Sequence, residues 1–262
     1  DPQPGPRRVE EIEHGEEVAP GVLLATARTS VRGRGVRFAE SGMSEFLDEP
    51  TVLITLEHGP AAIADALTQV GSRLQCDAFV FIDVGGDVLA LGGEPGLRSP
   101  LSDAIMLAVA ARLGSAGQPV LGGVFGIGCD GELSPAEVLA GLGDLAAAGG
   151  LCGARGLTDY TAHQLEEAIR LVPTEASAQA VAAFRSSAGA AAIRGGARQI
   201  QRTAAAMVTF YFDVQLAFEK RGRLAQAVAQ ADGLEAANQA LAGLGVRTEL
   251  DLEREAAQLA AS

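Results

Sequence analysis

The sequence predicts an α/β fold, and three observations carry that expectation. A continuous apolar, β-branched run followed by an amphipathic helix occurs three times from Thr51 onward. Each of those helices has proline at its expected first position, where the missing N–H is harmless. The strand-to-helix loops are short and gather charged residues. Apolar strands alternating with helices suit a parallel sheet covered on both faces. The expected architecture is therefore a mainly parallel central sheet flanked by helices, three-layer and Rossmann-like, with a helix-rich C-terminal half.

The elements follow in order. Residues 1–20 read as turn-rich acidic surface chain, with room for a short helix after Pro6. Val22–Ala27 fits a strand. Gly33 and Gly35, among four arginines, form an exposed loop, and Ser44–Leu47 a short helix. Thr51–Leu56 is the first apolar run, followed by His58 and a helix with Ile63, Leu67, Val70 and Leu74 on one face. Ala78–Val84 is the second, followed by a glycine-rich loop and a helix from Pro100 to about Leu113. Val120–Ile127 is the third, with Ser134 and Glu137 forming a capping-box pattern at the helix that starts at Pro135. Helices are expected at Asp159–Leu171 and from Pro173 to about Ser187. Residues 197–202 alternate like a half-exposed strand, and Met207–Asp213 reads as a buried one. Helices are expected at 214–230, 233–243 and 249–260, the last capped by Thr248. The chain is read as one domain over 1–262. Strand–helix units bearing the site cover about 1–150, and the helix-rich half covers about 151–262.

Composition excludes several functions. The net charge is −13, which repels phosphate backbones and anionic lipid, so neither nucleic acid nor membrane is an expected partner. Cys76, Cys129 and Cys152 are odd in number and lack C-x-x-C spacing, which argues against a disulfide framework or structural zinc. No apolar run approaches the roughly 20 residues that cross a bilayer, and the expected compartment is the cytoplasm.

The candidate site is the loop after the second strand. Asp83 and Asp87 bracket Gly85 and Gly86, Glu94 and Arg98 follow, and Ser99 and Asp103 open the next helix. Loops at the carboxyl edge of an open α/β sheet bind ligands, and His58 and Asp130 are expected at the same edge. Two carboxylates beside glycines can serve as acid and base, hold a divalent cation, or grip ligand hydroxyls. They can equally bond loop amides and shape the turn. Arg98 with free helix N–H groups suits an anionic substrate group, or else pairs with Glu94 or Asp103. There is no G-x-x-x-x-G-K-[ST] and no G-x-G-x-x-G, so nucleotide cofactors lack their fingerprints. No metal ligand set is assigned, although magnesium assistance is compatible with the loop. Cys129 reads as a small buried residue.

The stretches Asp83-Val-Gly-Gly-Asp-Val-Leu-Ala and Glu94-Pro-Gly-Leu-Arg-Ser-Pro-Leu-Ser-Asp103 resemble the prokaryotic domain-of-unknown-function family 1152. Asp1–Arg7, Ile193–Arg198 through Thr209–Asp213, and Gly245–Arg254 fit the same resemblance. It implies a further strand–helix unit, with a run of glycines and an aspartate, ahead of Asp1. It implies no established activity. The expectation is a small-molecule enzyme of hydrolase, lyase or group-transferase type, acting on a sugar, nucleoside or carboxylate-type metabolite. Asp83, Asp87 and Glu94 would do the acid–base work. His58, Gly85, Gly86, Arg98, Ser99, Asp103 and Asp130 would hold the ligand. The alternatives are a non-catalytic ligand sensor, or a homo-oligomer protomer whose glycine loops pack between subunits.

Overall fold

Proline sets the helix starts as the sequence indicates: Pro60, Pro100 and Pro135 each stand in the first turn of a helix. The structure, a computed structural model, describes residues 6–185 and 189–261. Residues 1–5 of the turn-rich start, with the first part of the Asp1–Arg7 resemblance, lie outside them. So do residues 186–187, the expected end of the helix after Pro173.

The N-terminal part comprises β1 (Ile12–Ala19), β2 (Val22–Val31), α1 (Ala39–Leu47), β3 (Thr51–Ile54) and α2 (Pro60–Arg73). The middle comprises β4 (Phe79–Val84), α3 (Pro100–Ser115), β5 (Val120–Phe125), α4 (Pro135–Ala147), β6 (Leu151–Gly156), α5 (Asp159–Leu171) and α6 (Glu175–Phe184). The remainder comprises β7 (Gly189–Ile193), β8 (Arg198–Arg202), β9 (Val208–Phe212), α7 (Val214–Lys220), α8 (Arg223–Val228), α9 (Leu234–Ala242) and α10 (Glu249–Ala261). The chain is mixed α/β, and none of its described helices is long and apolar enough to cross a membrane.

The mainly parallel central sheet is not what the strands build. Among the described residues they form three small sheets, ordered β1-β2-β3, β4-β5-β9-β6 and β7-β8. Only β4 and β5 pair in parallel. The part of residues 1–20 read as surface chain supplies β1, and this hairpin captures β3 antiparallel, Val22 opposite Ile54. The first apolar run therefore never joins the second and third. The aromatic β9 enters antiparallel between β5 and β6. An apolar run announces a buried strand, but its partner depends on which edge is free.

Layering is also lopsided. Helix α3 is apolar around most of its girth and lies in the middle of the main core, with Ile105, Val109 and Leu113 fully buried. It packs on β4 and β5 from one side and on α2, α7, α8 and α9 from others. Phe79 and Phe81 of β4 point into this core. The alternate residues, Val80 and Ile82, are 55% and 45% exposed, so that face of β4 lacks a helical layer among the described residues. A smaller cluster of Phe125, Cys129, Ala180, Ala183 and Ala206 covers the carboxyl end of β5. What this arrangement does preserve is the adjacency of the loops after β4 and β5. Gly85 donates to the Phe125 carbonyl at 2.9 Å, and Gly128 donates to the Gly85 carbonyl at 2.8 Å.

Candidate acidic site at the ends of β4 and β5

Strand β4 ends by delivering Asp83, and a 3₁₀ turn over Asp87–Leu89 then presents Asp87. Gly85 and Gly86 make that reversal with φ of 140° and 117°, conformations that side chains resist. Their bareness also has a use. A Cβ on Gly85 would lie 2.4 Å from Asp130 Cγ, and one on Gly86 would lie 2.5 Å from a Val138 methyl. These glycines were expected to admit a ligand; what they admit is the Asp130 carboxylate and the side of α4.

Asp103 stands in the first turn of α3 and completes the group. Asp83, Asp87 and Asp103 each offer a carboxylate oxygen within 4.8 Å of the others, and Asp87 forms a second such group with Asp130 and Glu132. Asp83 accepts from the Val88 N–H at 3.3 Å and from the Gly86 N–H, and shares a hydrogen bond with Asp87. Both Asp130 oxygens are buried and have no hydrogen-bond partner. An adjoining cavity of about 210 Å³ has Asp83 and Asp103 in its wall, with Phe81, Met106 and Phe212 as apolar lining.

Crowding sets the proton affinities. Burial, then the carboxylates of Asp103, Asp83 and Asp130, push Asp87 up to about 11. Burial raises Asp83 to about 7, with the Val88 N–H pulling against it. Burial followed by the charge of Glu132 raises Asp130 to about 6. Asp103 is pushed well above the ordinary carboxylate range by burial and by Asp83 and Glu249. The physical cause is common to all four: a carboxylate taken from water beside other carboxylates resists ionising.

Glu132 belongs to the same space and behaves differently. Its Oε2 accepts from the Arg98 and Ser99 N–H groups at 2.7 and 2.9 Å, and its Oε1 from the Ser99 hydroxyl at 2.5 Å. Arg198 of β8 adds an ion pair at 3.2 Å. Burial works to raise Glu132, but these four partners together hold it below the ordinary value. Glu249 does the same work one turn later, accepting from Leu101 N–H, Ser102 N–H and the Ser102 hydroxyl at 3.0, 2.9 and 2.9 Å. The start of α3, expected to receive an anion from a substrate, already holds two of the chain's own.

Four other expected residues stand apart from the aspartate cluster. Glu94 accepts from Leu91 and Gly92 N–H, both at 2.8 Å, and closes its own loop. The Arg98 guanidinium donates to the Pro95 and Leu97 carbonyls at 3.0 and 2.7 Å, pairing with neither Glu94 nor Asp103. Ser99 stands at the N-cap position of α3, but its hydroxyl turns to Glu132 instead of capping. His58 bridges to Gly233 and packs on Gly21, far from the acids because β3 belongs to the other sheet. Cys129 is fully buried, its thiol pushed up to about 12 by burial and by Asp130. Glu132, Glu249 and Arg198 were not among the expected site residues. Glu132 had a local signal, since it shares a loop with Asp130; the other two are distant in sequence and had none.

No curated protein and no solved structure matches the chain. A family model described as a protein of unknown function (DUF1152) matches residues 1–257, and the chain belongs to that family.

Proposed function

We propose that the chain is a small-molecule enzyme that uses the cluster of Asp83, Asp87, Asp103 and Asp130 for acid–base chemistry on a polar metabolite. One observation carries the reading: three carboxylates converge within 4.8 Å beside a cavity, with no guanidinium among the described residues paired to any of the three. Structural carboxylates in this molecule are saturated with donors, as Glu132 and Glu249 are. An unsatisfied, like-charged group is instead the arrangement that sets acid and base apart in enzymes. A ligand sensor with well-paired charges would have no reason to keep such a group.

The same field narrows the substrate. Asp130 and Asp83, the two of the four nearest to ionising at neutral pH, would repel a free carboxylate, so the sugar or nucleoside type is favoured, with hydroxyl or amine groups donating to the cluster. Asp83, in the cavity wall, and Asp87 beside it would move the proton, and Asp103 and Asp130 would tune them. The reaction class is hydrolysis, elimination or group transfer. The three free cysteines fit a reducing cytoplasm.

The test is a metabolite screen by thermal shift on the full chain, followed by turnover of each hit. Asp87→Asn should keep the fold and lower turnover by at least about 100-fold, the lower bound for general acid–base catalysis. Turnover that survives Asp87→Asn in the folded protein rejects the proposal.

A further inference from the structure

Asp130 is only 8% exposed, yet neither of its carboxylate oxygens has a hydrogen-bond partner. Buried acceptors in that condition are few in native proteins, and an ion is one of the explanations they call for. The carboxylate is not there by default of space, because Gly85 has to forgo a Cβ to let it in. It faces Asp87, and Asp87 faces Asp83 and Asp103. Glu132, the remaining acid, has both oxygens taken by the Ser99 hydroxyl, two N–H groups and Arg198. The unpartnered buried oxygens are therefore those of Asp130, which borders Asp87 of the cluster.

We infer that this cluster binds one divalent hard cation of the magnesium or manganese type, held by Asp83, Asp87 and Asp103, with Asp130 turned toward it from the Gly85 side. Donors that are all carboxylate oxygen, with no imidazole or thiolate among them, select such an ion over zinc or copper. The cation supplies the positive charge that Arg198, committed to Glu132, does not. It also gives the acidic cavity a means to grip and polarise a substrate oxygen. The inference rests on the reading of this cluster as the functional centre, and specifies how that centre balances its charge.

Manganese binding to the full-length, folded chain tests it, followed by electron paramagnetic resonance and by calorimetry with magnesium as competitor. One saturable manganese per chain is expected, displaced by magnesium. Asp103→Asn and Asp130→Asn should weaken it by at least the ~10–100-fold that even outer-shell changes cost. Asp65→Asn, on the exposed face of α2, should leave it unchanged. Circular dichroism checks that each variant folds, and if one does not, the other and the wild type decide. Absence of saturable manganese binding to the wild type overturns the inference, as does equal affinity in the folded cluster variants. If manganese fails to bind while Asp87→Asn still abolishes turnover, the cation is wrong and the enzyme stands. If manganese binds and turnover survives Asp87→Asn, the ion is structural and the enzyme reading falls.

Discussion

Two sets of buried acids meet at the start of α3 and obey opposite rules. Glu132 and Glu249 each accept backbone N–H groups and a serine hydroxyl, and Glu132 adds an arginine. Among Asp83, Asp87, Asp103 and Asp130, Asp83 accepts from the Val88 and Gly86 N–H groups, while both oxygens of Asp130 are buried without a partner. The glutamates tie the loop after β5 and the helix α10 to α3, and the partners of Glu132 hold its carboxyl below the ordinary value. The aspartates resist ionisation and tie nothing together. Both sets are carboxylates at the same helix start, so residue class alone does not separate them; saturation of the carboxylate does.

Removing an anchor breaks the comparison most. Glu132→Ala strips the Arg98 and Ser99 N–H groups of their acceptor and leaves Arg198 without its carboxylate, so urea unfolding should show a loss of about 3–5 kcal/mol. A loss under about 1 kcal/mol, the scale of an exposed pair, would move Glu132 out of the anchoring set.

The pH dependence separates the sets by sign. Burial sets Asp130 at about 6 and Asp83 at about 7 in the folded chain, against an ordinary 3.8. The folded state thus keeps protons that the unfolded state has released. Stability from these two groups is complete below pH 3.8 and is lost as the pH rises through about 7. Glu132 runs the other way: its folded value lies below 4.5, so its contribution is present above that pH and is lost as pH falls through the folded value. In chelator, these two groups should lower stability by on the order of 4 kcal/mol between about pH 5 and pH 8. Calorimetry that shows it rising over that range contradicts the assignment.

The smallest effect is the most discriminating. Asp103→Asn takes one charge from the crowd and leaves no donor without an acceptor, so at about pH 8 it should be neutral or stabilising by about 1 kcal/mol. Destabilisation on the scale of Glu132→Ala would erase the distinction between anchors and reactive acids.

Much of the site was legible in the sequence because strand–loop–helix order is local information. Apolar runs, helix-opening prolines and the Asp-Val-Gly-Gly-Asp spacing fixed where β4, α3 and their aspartates would stand. Asp130 followed from the same logic applied to β5. What escaped depends on distance. Glu94 and Arg98 look like ligand-facing charges in sequence, but backbone groups within their own loop satisfy them. His58 was lost to the site when the β1–β2 hairpin claimed β3. The order of strands escaped too, since nothing in β9's aromatic composition says that it enters between β5 and β6. Glycine at positions 85 and 86 was read correctly as a need for space, but the occupant was misjudged.

The contact of Glu249 with Leu101 and Ser102 spans 148 and 147 residues of chain. While the protein is being synthesised, the first turn of α3 lacks this cap until α10 has emerged, and long-range closures of this kind are the slow ones in folding. Asp103 stands in this same turn, so its placement depends on a contact between the middle and the last part of the chain. A chain cut short before Glu249 would leave two N–H groups uncapped beside Asp103 and would lose the site's geometry before it lost its sheets. The first turn of α3 thus depends on a residue 148 positions away in the chain.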